Sequence, residues 1–351
     1  MASINRLAGR KRKYTGVILM VLLAVCALVY APIQAQDAPT PKAYVGNFTD
    51  NTVGVIDTGT NTVIGTIPVP VGPHGMVVTP DGHWLYVSSD GDTKVSVIDT
   101  SSDSVSATIE VGKAPHGLAI TPDGGQVLAA VSGEDKVAFI DTATNKVVNT
   151  LPAPKPHNIA ISPDGKWAYV AAQKDGAMGL VEFDLTQQTQ TATIPTDSAP
   201  RALNFSPDGK LLYFTLLNVD AVQVLDPASN EITAQIPVGV SPHHPIFTPN
   251  GEYGLVVSQG PGELSIIDPA TNKVEGTVKV GDMPNWIAVT DDSETAYITN
   301  EKSNDVSVVD LETQKVIATI PVGQAPRKIV LQPSAAMMAQ ATAEMTPEAT
   351  P

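Results

Sequence analysis

The chain of 351 residues contains one cysteine, Cys26. A single cysteine excludes an internal disulfide, and the lack of a Cys-x-x-Cys-His segment excludes covalent attachment of a c-type haem. Basic residues are also scarce, with 21 Lys and Arg against 36 Asp and Glu. Five basic residues and no acidic residue lie within residues 1–35, so residues 36–351 have 16 basic and 36 acidic residues, a net charge of −20. That charge repels phosphate backbones, and nucleic acid is therefore not expected as a partner.

Helical periodicity of useful length is missing as well, which excludes an α-helical or α/β fold class. The sequence has no recognisable Ser/His/Asp triad, phosphate-binding loop or acid–base pair, so it does not by itself name a reaction.

The N-terminus has a basic segment, an apolar run over residues 16–31 and the sequence Ile33-Gln34-Ala35 as a cleavage site. This layout predicts a signal peptide over residues 1–35, followed by a linker over residues 36–41. An uncleaved membrane anchor is the alternative, although the apolar run is shorter than the ~20 residues that span a bilayer. We expect an extracytoplasmic protein, secreted, periplasmic or at the cell surface, that is monomeric and has no membrane span after cleavage.

From Lys42 onward the chain is a tandem repeat. Successive prolines at equivalent positions are separated by 42, 41, 44, 42, 42 and 42 residues. These prolines are Pro73, Pro115, Pro156, Pro200, Pro242, Pro284 and Pro326. A period of this length with four short apolar runs is typical of a β-propeller blade.

The unit 73–114 shows the pattern. Its four predicted strands are Met76–Val78, Trp84–Val87, Lys94–Ile98 and Ser104–Val111. Between the first two lies Thr79-Pro80-Asp81-Gly82, in which Pro fixes φ and Gly accepts a positive φ, so the chain turns.

The first repeat has no inner strand of its own, because it begins at Lys42. Residues 326–334 match residues 73–81 position by position, so the other end of the chain supplies the missing strand. The sequence therefore predicts an all-β, seven-bladed propeller over residues 42–334, closed by its C-terminal strand, which leaves no open sheet edge.

The second strands carry a family resemblance. Tyr297-Ile298-Thr299-Asn300 and Tyr44-Val45-Gly46-Asn47 are similar to the YVTN repeat, and the similarity covers residues 42–334. The chain resembles exported YncE-like propellers and, more distantly, the haem-binding propeller of dissimilatory nitrite reductases. The resemblance implies the fold, but these relatives differ in chemistry. YncE-like propellers have been linked to single-stranded DNA, which the net charge of this chain disfavours.

The residue after each repeat proline lies in the loop nearest the propeller axis, so these residues form a ring at one channel mouth. The ring consists of His74, His116, His157, Arg201, His243, Asn285 and Arg327. His244 and Trp286 follow two of its members directly. Because concave channel mouths are common ligand sites, these nine residues are the predicted ligand-binding site.

Three chemistries fit this ring. His74, His116, His157 and His243 are candidate ligands for copper or zinc. Arg201 and Arg327 can instead hold a carboxylate or phosphate. The third possibility is structural, with each imidazole hydrogen bonded to the next blade. We therefore predict a module that binds a small anionic ligand or a protein partner at this mouth. A metal- or haem-dependent oxidoreductase that uses the same histidines is the alternative.

Three further features complete the expectations. Glu182 lies in a column of aliphatic residues in the third strands, and we expect a bulge in the longest blade to turn it outward. Ten acidic residues in the loops between second and third strands are expected to form a solvated rim. Residues 335–351 have no strand pattern and are expected to be a disordered tail.

Overall fold

The structure is a computed structural model that describes residues 40–339. The predicted signal peptide, most of the linker and residues 340–351 of the predicted tail lie outside the described residues. Residues 40–339 form seven four-stranded antiparallel sheets. The prediction of an all-β, seven-bladed propeller is therefore confirmed.

Each sheet is one blade, numbered here in chain order. Blade 1 consists of β1 (Lys42–Asn47), β2 (Thr52–Asp57), β3 (Thr62–Pro68) and β28 (Pro326–Leu331). Blade 2 consists of β4 (Pro73–Val78), β5 (Trp84–Ser89), β6 (Lys94–Asp99) and β7 (Ser104–Glu110). Blade 3 consists of β8 (Pro115–Ile120), β9 (Gln126–Val131), β10 (Lys136–Asp141) and β11 (Lys146–Pro152), with a 3-10 turn at Ser132–Glu134. Blade 4 consists of β12 (Pro156–Ile161), β13 (Trp167–Ala172), β14 (Gly179–Asp184) and β15 (Thr189–Pro195).

The last three blades follow the same order. Blade 5 consists of β16 (Pro200–Phe205), β17 (Leu212–Leu216), β18 (Ala221–Asp226) and β19 (Glu231–Pro237). Blade 6 consists of β20 (Pro242–Phe247), β21 (Gly254–Ser258), β22 (Glu263–Asp268) and β23 (Lys273–Lys279). Blade 7 consists of β24 (Pro284–Val289), β25 (Thr295–Asn300), β26 (Asp305–Asp310) and β27 (Lys315–Pro321).

The ring is closed by the two ends of the propeller domain. Strand β28 pairs antiparallel with β1, with Ala43 opposite Leu331 and Val45 opposite Ile329. Ile329 is buried with Ala43 and Val45 in the core between blades 7 and 1. The predicted closure by the C-terminal strand is confirmed.

Turn chemistry fixes the hairpins. In blade 2, Gly82 has φ +72°, and Asp81 accepts hydrogen bonds from the hydroxyl of Thr79 and the backbone N–H of His83. In the hairpin between β2 and β3, Asp57 accepts the N–H of Thr60 at 2.8 Å, and the next residue, Asn61, has φ +53°. Asn tolerates this left-handed conformation, which explains the turn residues at this point of the repeat.

Neighbouring blades are joined by tyrosines of the second strands. Each hydroxyl donates a hydrogen bond to the left-handed turn residue of the next blade. The five pairs are Tyr44 with Asp103 (3.0 Å), Tyr86 with Asn145 (2.7 Å), Tyr169 with Asn230 (2.5 Å), Tyr213 with Asn272 (3.2 Å) and Tyr297 with Asn61 (2.8 Å). Because the tyrosine rings are buried, each pair gives the hydroxyl a hydrogen-bond partner in place of water.

Residues 335–339, at the start of the predicted tail, form one helical turn. No helix within residues 40–339 is long and apolar enough to cross a membrane.

Candidate functional site at the channel mouth

A break in strand pairing explains where the residues of the predicted ring lie. All seven inner strands pair with their neighbour at the repeat proline and resume pairing only three residues later, as in Pro73 opposite Ser89 and Met76 opposite Val87. The two residues after the proline are therefore released from the ladder. Their side chains are free to point at the axis or at the next blade.

Three imidazoles of the ring bind the backbone of the next blade. The Nδ1 atoms of His116, His157 and His243 lie 3.0, 2.8 and 2.9 Å from the carbonyl oxygens of His157, Arg201 and Asn285. A carbonyl accepts only, so each Nδ1 carries the proton and each Nε2 carries a lone pair. These contacts are the ones expected if the histidines have a structural role, in which each imidazole is hydrogen bonded to the next blade.

His74 differs from the other ring histidines. Its Nδ1 is buried and has no hydrogen-bond partner within residues 40–339. The carbonyl of His116, which the repeat would offer to it, accepts from the hydroxyl of Ser88 instead. His74 is held by its neighbours' rings, with a centroid distance of 3.6 Å to His116 and an edge contact to Phe48 at 6.1 Å.

Burial keeps the ring histidines neutral. Desolvation lowers the pKa of His157 to about 4 and the pKa values of His74, His116 and His243 well below the ordinary value. Near neutral pH the imidazoles therefore contribute lone pairs and no positive charge to the mouth.

The predicted metal ligands are only partly brought together. His74, His116 and His157 stack along the mouth, with successive ring centroids 3.6 and 3.9 Å apart and interplanar angles of 38° and 36°, while His243 packs against Trp286 at 6.2 Å. A metal needs the lone pairs of its ligands to converge on one point. In the part of the chain that the structure describes, no group of three His, Cys, Asp or Glu is arranged to hold a metal ion. Metal binding by these histidines stays a prediction.

The two arginines of the ring have different partners. Arg327 contacts the carboxylate of Glu301 at 3.2 Å and stacks on Phe48 at 3.6 Å, and Asn285 donates to the same carboxylate at 2.6 Å. Arg201 donates to the hydroxyl of Ser241 at 3.1 Å and to the amide oxygen of Gln259 at 3.0 Å. Within residues 40–339 the guanidinium of Arg201 has no carboxylate partner, and burial lowers its pKa.

A second stack lies one position along the chain from the ring. His244 stacks on Trp286 with 3.6 Å between ring centroids and 16° between planes, and the Nζ of Lys328 lies 3.6 Å from the centroid of the same indole. His244 accepts the N–H of Ile287 at Nδ1, 3.2 Å away, so its Nε2 carries the proton. His244 and Trp286 were predicted site residues, but Lys328 was not. The column two residues after the repeat prolines, which ends in Lys328, is the sequence signal that identifies it.

The expectation that Glu182 turns outward was wrong. Every blade has a register shift at this point of its third strand, so the bulge does not distinguish Glu182. The side chain is 7% exposed and accepts hydrogen bonds from Tyr169 at 2.8 Å, Thr191 at 2.5 Å and Asn230. It stays in the buried column because three donors compensate for its burial.

The acidic loops are partly structural. Asp50, Glu134, Asp135 and Asp220 each accept a backbone N–H from a neighbouring loop, at 2.7–3.0 Å. These carboxylates fasten the mouth loops as well as facing solvent.

Comparisons with known proteins agree with this fold. The family model described as YNCE-like beta-propeller matches residues 39–120, and the model described as Lactonase, 7-bladed beta-propeller matches residues 142–236. No curated protein matches the sequence.

Several solved structures are similar in fold. Hydrazine synthase of Kuenenia stuttgartiensis has a TM-score of 0.72 and 23% identity, covering 80% of this chain and 98% of that one. The dihydro-heme d1 dehydrogenase NirN in complex with DHE has a TM-score of 0.64 and 16% identity, covering 84% of this chain and 76% of that one. AztD of Citrobacter koseri has a TM-score of 0.66 and 16% identity, covering 84% of this chain and 98% of that one. At these identities the likeness shows the fold alone.

Proposed function

Because the chain is a seven-bladed propeller that matches the YncE-like family over residues 39–120, we propose that it is an extracytoplasmic ligand-binding module. Its ligand is a small anion that binds at the His/Arg-lined channel mouth. The observation that carries the proposal is the guanidinium of Arg201, which donates to neutral oxygens and has no carboxylate partner within residues 40–339.

The charge of Arg201 is the attractive element of the site. Its half-buried guanidinium donates only to neutral oxygens, and the other ring arginine is already paired with Glu301. A buried charge with no counter-charge is costly, and an anionic ligand would offset that cost with charge-assisted hydrogen bonds.

The imidazoles narrow the ligand class. His116, His157 and His243 carry their protons on Nδ1, so their Nε2 atoms can only accept hydrogen bonds. Acceptors beside a guanidinium suit an anion that also carries O–H groups, such as a hydroxy acid or hydrogen phosphate. A protein partner would present an acidic side chain to the same arginine.

The test is a thermal titration of the mature protein with citrate, tartrate and phosphate. Binding should raise the melting temperature of the wild type, and Arg201→Met should abolish that rise because it removes the counter-charge. Lys174→Met is the matched control, since Lys174 is an exposed rim cation paired with Asp135 at 2.6 Å. Equal shifts in wild type and Arg201→Met would refute an anion site at Arg201.

A metal- or haem-dependent oxidoreductase is the second candidate function. In its favour, Nδ1–H donation to a carbonyl is the orientation in which protein histidines usually present Nε2 to a metal. Against it, no group of three His, Cys, Asp or Glu within residues 40–339 is arranged to hold a metal ion, and the charge of Arg201 repels a cation. Stoichiometric copper, zinc, iron or haem in the purified mature protein would favour this candidate over the anion-binding module.

A further inference from the structure

Lys328 is a buried amine without a counter-charge. Lys328 is 7% exposed, and within residues 40–339 its amine makes no hydrogen bond and no ion pair. Its one polar contact is the face of Trp286, 3.6 Å from Nζ. Burial lowers the pKa of this amine to about 7, with no acidic group opposing the shift.

The amine borders a cavity inside the channel. The cavity has a volume of about 390 Å³ and extends from Lys328 and His244 to Asp291 and Pro333. Its lining comes from the inner strands of all seven blades and combines aliphatic side chains with polar groups to a similar extent. The cavity shares His244 and Trp286 with the predicted site, but it includes none of the ring residues that directly follow the repeat prolines, Arg201 among them.

Asn204 is one of several polar side chains in the lining, together with Asn158, His244, Asp291 and Lys328. Asn204 occupies the position held by Val77, Ala119 and Val330 in other blades, and its amide makes no hydrogen bond within the described part of the chain. Both Lys328 and Asn204 therefore offer N–H donors to the cavity that no protein group accepts.

We propose that this cavity binds a small organic monocarboxylate, whose carboxylate pairs with Lys328 and whose apolar body lies against the aliphatic side chains of the lining. The carboxylate supplies the counter-charge that the protein lacks, and Asn204 adds a donor. Contact with the aliphatic side chains removes the apolar body from water, which favours binding.

Asp291 determines whether the cavity favours a ligand with one carboxylate or with two. It lies at the far end of the cavity and accepts the N–H of Ser334 at 2.7 Å. A dicarboxylate of matching length would bring its second charge toward this carboxylate, and like charges repel. The cavity therefore favours monocarboxylates over dicarboxylates.

The groups that face the amine do not compete for its charge. Burial lowers the pKa values of His244 and His74, so both are neutral near neutral pH. Asp291 lines the same cavity but forms no ion pair with Lys328, so a bound carboxylate would be the anion that pairs with the amine, and binding should therefore protonate it.

The experiment is calorimetric titration of the mature protein with hexanoate, adipate and hexanamide. Hexanoate should bind. Adipate should bind at least about tenfold more weakly because Asp291 repels its second carboxylate, and hexanamide should bind at least about tenfold more weakly because it has no charge to pair with Lys328. Lys328→Met should weaken hexanoate binding at least about tenfold. Arg201→Met should leave hexanoate affinity unchanged, so this outcome is independent of the mouth site.

A second readout needs no variant. At about pH 8 much of the free amine is neutral, so hexanoate binding should take up protons from the buffer. Titrations in phosphate and Tris, which differ in ionisation enthalpy, measure that uptake. Three results would each overturn the proposal: no binding of millimolar hexanoate, octanoate or benzoate; equal affinity of hexanoate for wild type and a folded Lys328→Met; or binding without proton uptake.

Discussion

The channel has two levels that bury ionisable side chains in opposite ways. At the mouth, His116, His157 and His243 each donate Nδ1–H to a carbonyl of the next blade. Below them, the amine of Lys328 lies against the ring of Trp286 and borders the cavity. The mouth histidines therefore hold blades together, whereas the amine below them contributes no hydrogen bond to the fold.

The contrast shows how a structural polar residue differs from a candidate ligand-binding residue in a repeat protein. A polar residue that recurs in several blades and finds the same partner in each is part of the architecture. A polar residue that occurs once in its column, such as Lys328, must be stabilised by something other than the repeat. Four predictions test this contrast, and they are given from the largest expected effect to the smallest.

The first prediction is that the protein loses stability steeply between about pH 6.5 and 4. The five buried histidines have pKa values lowered by burial, that of His157 to about 4, so below pH 6.5 the unfolded chain binds protons that the native state does not. Each such group removes up to about 1.4 kcal/mol of stability per pH unit. Urea unfolding across this range measures the slope, and His157→Gln should reduce it by about one proton. A flat profile would contradict neutral burial.

The second prediction concerns alkaline pH. Because burial lowers the pKa of Lys328 from its ordinary value to about 7, the unfolded chain binds one more proton than the native state above that pH. Stability should therefore rise by up to about 1.4 kcal/mol per pH unit from about pH 7 to 9.5. Lys328→Met should flatten the rise, and the exposed Lys210→Met should not. The range ends before the buried tyrosines, whose pKa values are raised, begin to oppose the trend.

The third prediction tests a buried acid that, unlike Lys328, is fully paired. Glu182→Ala should cost about 2–4 kcal/mol, because Tyr169, Thr191 and Asn230 lose their acceptor. Glu182→Gln should cost less, since it keeps one acceptor oxygen. Chemical denaturation compares the two variants. A cost for Glu182→Ala no larger than that for Lys328→Met at neutral pH would mean that pairing does not separate these two groups.

The smallest effect is expected from one tyrosine at a blade boundary. Tyr213→Phe removes the hydroxyl that donates to Asn272 at 3.2 Å and should cost about 1 kcal/mol. Blades 3 and 6 have Leu128 and Leu255 at this position, so the ring tolerates loss of the bond. Tyr86→Phe, with its shorter bond of 2.7 Å to Asn145, is the companion variant. If neither substitution changes the denaturation midpoint, the hydroxyls do not contribute to blade pairing.

Fold and site were predictable from the sequence to different extents. The repeat prolines, the Thr-Pro-Asp-Gly turns and the match of residues 326–334 to residues 73–81 each follow from local patterns that recur. These patterns suffice for seven blades and their closure. The direction of the Nδ1 hydrogen bonds depends on distances between neighbouring blades, which no single repeat encodes.

Glu182 and Lys328 show the limit most clearly. The sequence shows a carboxylate in an aliphatic column, but the donors that keep it there come from positions 9, 13 and 48 residues away. For Lys328 the decisive fact is the absence of a partner, which only the packed channel reveals. Pairing across blades, rather than residue type, separates a structural group from a candidate ligand contact.

The closure by β28 also has a consequence for biosynthesis. Arg327 and Lys328 lie on the strand that completes blade 1, and Ile329 fills the last part of that core. Until this segment has been synthesised, β1 keeps an unpaired edge and the channel lacks one wall. A chain that terminates early therefore has neither the mouth arginine nor the cavity amine. Any ligand that needs Arg327 or Lys328 could therefore bind only to a chain that has been synthesised to the end of the propeller.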